Sequence, residues 1–115
     1  MPSPRTNAPA VAFRVPTVAT LRKYGLTVEA WTTMLASQGG VCLVCRRVSP
    51  TGRSVIDHEH VKGWKKLAPQ HRRWFVRGIL CSFCNSHCVG RFMTLDKARR
   101  IVEYLESHEL RKGLL

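Results

Sequence analysis

Hydrophobic positions along the chain fall into short blocks with different periods. Val28, Trp31 and Leu35 recur at helical spacing, Thr27 is placed to cap them, and Glu29 sits where a helix dipole favours an acid. The pattern predicts helix over residues 17–38, broken near Gly25 and stopped at Gly39-Gly40. Val48 to His60 reads as a strand pair or hairpin, because Ser49-Pro50-Thr51-Gly52 signals a turn and Ser54-Val55-Ile56 is β-prone. Trp74 to Leu80 reads as a further short strand, and Cys81 to Phe92 as a tight knuckle running into a helix. A last helix is predicted over Leu95 to Glu109, with Thr94 as N-cap, Asp96 in the first turn, and Leu95, Ala98, Ile101, Val102 and Leu105 on one face. Two segments lack a period. Residues 1–16, rich in Pro, Ala and Arg, predict a flexible basic arm. Val61 to Trp74, with Gly63 and Pro69 among several bases, predicts an exposed basic loop. The expected organisation is an arm over 1–16 and a single domain over 17–115.

Charge narrows the partners. Nineteen Lys and Arg against seven Asp and Glu give a formal charge of +12, which favours a polyanion. No apolar run approaches the roughly 20 residues a membrane span requires. Met1 to Thr20 holds four prolines and two arginines and no unbroken apolar core, so it does not read as a secretory signal. The expected compartment is therefore a reducing cytoplasm, where Cys-x-x-Cys pairs read as metal or redox sites rather than disulfides.

The cysteines change the picture more. Cys42-Leu43-Val44-Cys45 and Cys81-Ser82-Phe83-Cys84 are two such pairs, separated by 35 residues. A short turn points both thiolates of a pair at one ion, and two pairs close a tetrahedral zinc shell with no position left for substrate. Such a zinc would be structural. The competing readings are a redox Cys-x-x-Cys and coincidental buried thiols. Cys88, the fifth cysteine, reads as a small semi-buried apolar residue.

Between the pairs runs Asp57-His58-Glu59-His60, and Asn85 directly follows the second pair. Phosphodiester cleavage needs a base for water and a means of neutralising charge on the phosphate and the leaving oxygen. A neutral His serves as base near pH 7. A hard cation such as Mg²⁺ or Mn²⁺ takes oxygen ligands, which Asp57 and Asn85 offer. In a regular strand Asp57 and His58 would face opposite ways, so both serve one site only if the strand ends or bends there. Asn85 opens a helix, where phosphate is also favoured; it reads equally well as a simple helix cap. His60 lies on the strand face of His58 and reads as supporting. Glu59 reads as solvated, and His71, His87 and His108 carry no second signal.

Taken in order, these blocks resemble the recombination endonuclease VII family of phage-type nucleases, within the His-Asn-His (HNH), ββα-metal or His-Me finger group. The resemblance runs from about Tyr24 to Leu105. It includes Tyr24-Gly25-Leu26-Thr27, Gln38-Gly39-Gly40-Val41-Cys42, Asp57-His58-Glu59-His60, Val76-Arg77-Gly78-Ile79-Leu80-Cys81, Cys84-Asn85 and Tyr104-Leu105. It implies an α+β fold: a small zinc-stapled ββα-metal domain with flanking N- and C-terminal helices. It also implies Cys42, Cys45, Cys81 and Cys84 as zinc ligands, His58 as general base, Asp57 and Asn85 as ligands of the catalytic divalent cation, and His60 as a further active-site residue. Three departures stand out. Val61 to Phe75 is longer than the usual connection. Ser86 to Arg91 lacks the helix-borne acid of some members. The sequence also ends soon after Leu105, whereas members that resolve four-way junctions carry an extension there, so the expectation is phosphodiester cleavage rather than junction resolution.

Lys62, Lys65, Lys66, Arg72, Arg73, Arg77 and Arg91 flank the expected site and read as contacts to the DNA backbone, giving salt-dependent affinity with little sequence information. Of the two tryptophans among them, Trp74 is expected in the core, and Trp64 is the freer to stack on a base. The leading reading is a metal-dependent DNA endonuclease acting on double-stranded or branched DNA. The alternatives are a zinc-stabilised, non-catalytic DNA-binding or assembly module of a phage and a zinc-dependent redox protein. A homodimer and phage packaging or replication partners are compatible with the first two.

Overall fold

The computed structural model describes residues 12–114. Residues 1–11, most of the expected arm, lie outside them. The rest of that arm is docked: Phe13 is buried, and the Arg14 N–H bonds the Gly52 carbonyl at 2.8 Å. Phe13 is apolar and aromatic, so its burial outweighs the ordering cost that the surrounding composition suggested.

Two helices open the fold, α1 (Val18–Lys23) and α2 (Val28–Ser37). Their caps follow local chemistry. Thr17 Oγ1 accepts from the Thr20 N–H, and Thr27 Oγ1 from the Ala30 N–H at 3.0 Å. Gly25 breaks the pair with φ +72°, and Gly39 and Gly40, both at positive φ, end α2. Of the expected α2 core face, Trp31 is fully buried and Leu35 half-buried, while Val28 stays exposed.

The sheet has two antiparallel strands, β1 (Val55–His58) and β2 (Val76–Leu80). The hairpin expected within Val48 to His60 is therefore corrected. Only its second half is a strand, and its partner lies beyond the 59–75 connection, because the Ser49–Gly52 turn leads from the first cysteine knuckle rather than from another strand. That connection is not a plain loop. It holds a 3₁₀ turn (Trp64–Lys66), helix α3 (Pro69–Arg72) and a second 3₁₀ turn (Arg73–Phe75). The second strand accordingly starts at Val76 rather than Trp74.

Phe13, Leu21, Leu26, Trp31, Ile56, Ile79 and Leu80 form the core with Cys42, Cys81 and Cys84. Gln38, at the exit of α2, joins it with a polar group. Its Nε2 donates to the Ile79 carbonyl at 2.9 Å, and its Oε1 accepts the Ile79 N–H at 2.9 Å. The side-chain amide thus pairs with β2 as a neighbouring strand would, and it satisfies two buried backbone groups.

After β2 the chain turns through a π-helical segment (Cys84–Val89) into α4 (Leu95–Arg111), capped by Thr94 as expected. The segment completes a β–β–helix unit with β1 and β2, so the architecture is α+β. The apolar face expected on α4 is uncovered: none of its residues is buried, and Leu95, Ile101, Val102 and Leu105 are all exposed. The stripe has helical periodicity, but periodicity does not say what covers it.

Candidate active site and metal centre

Four sulfurs meet where the two knuckles face each other. The ligand atoms of Cys42, Cys45, Cys81 and Cys84 all lie within 4.8 Å of one another, and Cys45 Sγ is 3.9 Å from Cys81 Sγ. A tetrahedral zinc with Zn–S near 2.3 Å places its sulfurs about 3.8 Å apart, so the cluster fits such an ion. The knuckles are shaped by the backbone: the Cys42 N–H bonds Arg47 O, and Arg46 takes a left-handed φ of 63° to close the turn. Burial pushes the Cys42 thiol up, but N–H groups of Cys45, Cys81 and Val44 favour its thiolate and bring it down to about 7. Burial and the neighbouring sulfurs of Cys81, Cys45 and Cys42 push the Cys84 thiol up. Cys88 is exposed, not semi-buried.

The sheet beside this centre is irregular at the residues singled out for chemistry. Pairing runs Val55 with Leu80, Ile56 with Ile79 and Asp57 with Gly78, then jumps to His58 with Val76. Arg77 is thus an extra residue on β2, a β-bulge that bends the pair. Ile56 and Asp57 are buried in succession, so both faces of β1 are covered there. The irregularity in β2 thus falls at the step from Asp57 to His58, across the ladder.

The bulged residue turns onto Asp57. Arg77 Nε lies 2.8 Å from Asp57 Oδ2, and Nη2 lies 3.1 Å from Oδ1. Arg77, expected on DNA, is therefore committed to a carboxylate. Each Asp57 oxygen keeps a second lone pair, so the carboxylate still suits a hard cation, with Arg77 as a competitor for it.

His58 lies half-buried among rings. Its imidazole stacks on Trp64 with centroids 4.3 Å apart and planes 22° apart. His60 and Tyr24 flank it at 4.5 and 5.5 Å. Its pKa is held below the ordinary 6.5, first by burial and then by the neighbouring His60; Asp57 pulls the other way, by more than Arg77 or Lys23 alone pushes it down. Burial and the Asp57 charge raise the Tyr24 phenol.

An open hollow of about 870 Å³ lies against these rings. His58 and His60 line it with Lys23, Lys62, Lys65, Lys66, Arg72 and Arg91. Five of the seven bases expected on DNA thus converge there; Arg73 and Arg77 do not. Arg77 and Arg91 share a second hollow with Glu59, His60 and Phe92. Asn85 is half-buried on the π-helical segment, its N–H bonded to Cys81 O, and is not among the residues lining either hollow.

Sequence reasoning exchanged the tryptophans. Trp74 is 83% exposed and Trp64 only 9%. Lys23 and the stacking role of Trp64 were missed. Nothing in linear spacing marks a lysine 35 positions before His58 as its neighbour, whereas the bases around Trp64 at least flagged that segment.

The profile of the recombination endonuclease VII family matches residues 18–107. The chain belongs to that family. Two phage relatives, the Gene 59 proteins of Mycobacterium phages D29 and L5, are each 30% identical over 87 residues, covering 74% of this chain and 46% of the relative. The chain spans about half the length of these curated relatives. No solved structure matches it significantly. Membership supports a nuclease-like function in general, and the relatives' names add nothing to it. Among the described residues, no helix is long and apolar enough to cross a membrane.

Proposed function

We propose that the chain is a divalent-metal-dependent endonuclease hydrolysing phosphodiester bonds of double-stranded or branched DNA, with His58 as general base. The observation that carries this reading is the place of His58: an imidazole biased to its neutral form, at the edge of a hollow ringed by cations. A neutral imidazole can accept a proton from water at pH 7. Lys62, Lys65, Lys66 and Arg91 would hold the phosphate backbone there. His60, beside His58, would share contact with the phosphate.

Asp57 and Asn85 would hold a hard divalent cation, magnesium or manganese, which when bound neutralises charge on the phosphate and the leaving 3′ oxygen. Cys42, Cys45, Cys81 and Cys84 would hold a structural zinc that fixes the start of the Asn85 segment against the knuckle after α2. The Arg77 grip on Asp57 favours a second reading, a DNA-binding module in which that carboxylate is structural.

Plasmid nicking separates the two. With magnesium, the parent protein should nick, and His58→Ala should be slower by roughly 10²- to 10⁴-fold while keeping its DNA affinity. Equal rates for parent and His58→Ala would remove His58 as the base. A parent that binds DNA but never nicks would favour the second reading.

A further inference from the structure

A general base must be held in one orientation, and histidine's ring torsion has broad wells. In many sites a hydrogen bond to the second ring nitrogen does this. Among the described residues, the His58 imidazole makes no side-chain hydrogen bond, so its orientation must come from packing. The packing is specific. Trp64 lies nearly parallel to the imidazole at 4.3 Å, and Tyr24 contacts both rings, 5.5 Å from His58 and 5.6 Å from Trp64.

Trp64 is itself held. The Arg72 guanidinium carbon lies 4.6 Å from the indole centroid. Arg72 is tied at both ends of its fork, Nη1 to Lys23 O at 3.0 Å and Nη2 to Lys65 O at 2.9 Å. A chain of contacts thus runs from the end of α1 through Arg72 and Trp64 to His58. Trp64, Lys65 and Arg72 all lie in the 59–75 connection. The Trp64 Nε1, like that of the core residue Trp31, is buried with no hydrogen-bond partner, so what sets Trp64 apart is its place between Arg72 and His58. What the indole adds is a face broad enough to meet both Arg72 and His58.

We propose that Trp64 is a positioning residue for His58: clamped by Arg72, its indole fixes the imidazole at the edge of the basic hollow. This rests on the reading of His58 as general base. It also reassigns Arg72 from a DNA contact to a clamp.

The test uses the zinc-loaded full chain carrying Trp64→Leu, Trp64→Phe or Arg72→Met. Each is assayed for plasmid cleavage with magnesium, for duplex affinity by fluorescence anisotropy without magnesium, and for the His58 ring-proton resonances by NMR. Trp64→Leu should lower kcat on the order of 10- to 100-fold, the effect of a misplaced catalytic group, with KM and duplex affinity unchanged. Trp64→Phe, whose smaller ring cannot span both Arg72 and His58, should recover only part of the rate. The His58 ring protons, shifted by the indole in the parent, should move in Trp64→Leu. If Trp64→Leu cuts at the parent rate although those resonances move, Trp64 does not position the base and the nuclease reading stands. If the parent itself does not cut, the role of His58 falls and takes this proposal with it. Should Trp64→Leu lose its cooperative melt, Arg72→Met decides: a loss in kcat supports the clamp, and a loss confined to KM returns Arg72 to DNA contact and overturns it.

Discussion

Arg77, the extra residue of the β2 bulge, grips both oxygens of Asp57, at 2.8 and 3.1 Å. The bulge is what brings its guanidinium to that carboxylate, so sheet irregularity and ion pair are one feature. The pair sits at the boundary, the Asp57 side chain 8% exposed and that of Arg77 36%. Arg77→Ala would leave a buried carboxylate unpaired. The cost should be about 1–3 kcal/mol, below that of a fully buried pair because Arg77 is partly solvated. The same change frees Asp57 for a cation, so half-saturating magnesium in the nicking assay should fall. A rise would show Arg77 assisting metal binding rather than competing with it.

The environment of His58 sets a pH dependence. Its pKa in the fold lies below 6.5, so the acidic limb of the cleavage rate should have its midpoint below pH 6.5. Arg77→Ala removes a positive neighbour and should move that midpoint upward. For stability the sign is fixed by proton uptake. Below pH 6.5 the unfolded chain binds a proton that folded His58 resists, so stability should fall as pH drops from 6.5 through the folded pKa. An acidic limb centred above 6.5 would contradict burial as the dominant influence.

The sulfur cluster predicts a proton count. Burial and neighbouring sulfurs hold the Cys84 thiol up, so loading zinc near pH 7 must displace protons from the cluster. Stopped-flow zinc addition to the chelated protein in a weakly buffered indicator dye should show acidification together with recovery of folded signal. Cys42→Ser, which removes a fully buried ligand, should lose zinc and the cooperative melt together. A Cys42→Ser protein that melts like the parent would make the metal dispensable to the fold.

What the sequence made legible was local. Thr27 and Thr94 cap their helices because a hydroxyl and an N–H three residues on are neighbours in any helix. Cysteine spacing predicted the cluster because two residues between thiols fix their geometry. The misses depended on distant chain. Arg77 needed the pairing register, which one extra residue altered. The exchange of Trp64 and Trp74 followed from small helices in a segment with no period. The exposed stripe of α4 obeyed its period and lacked a partner within the described residues.

Gln38 is the plainest long-range case, bonding Ile79 from 41 positions away. Gln38→Ala would strand the buried N–H of Ile79 and leave its carbonyl only the longer bond from the Leu43 N–H at 3.4 Å, at a cost of about 1–3 kcal/mol. Urea unfolding should show the loss as a lower midpoint with the slope unchanged. Gln38→Glu keeps the acceptor but sets a buried carboxylate against the Ile79 and Val41 carbonyls, so it should unfold at or below the midpoint of Gln38→Ala. If all three unfold alike, water serves Ile79 as well as Gln38 does.

Gly25 joins fold to site. It holds φ +72°, and a Cβ there would sit 2.1 Å from the Pro69 carbonyl oxygen, with Arg73 Cβ at 3.3 Å. That contact sets the turn between α1 and α2 directly against the start of α3. Gly25→Ala combines a left-handed backbone with a clash against main chain, and a cost of at least about 2 kcal/mol is expected. Relieving the clash separates the α1–α2 turn from Pro69, and with Lys23 on one side of that gap and Arg72 on the other, it strains the Arg72–Lys23 bond that holds the indole over His58. Gly25→Ala should therefore lose cleavage rate even at temperatures well below its melt, and its His58 ring resonances should shift as those of Trp64→Leu do. If the variant melts early but cuts at the parent rate while folded, the turn stabilises the domain without reaching the base.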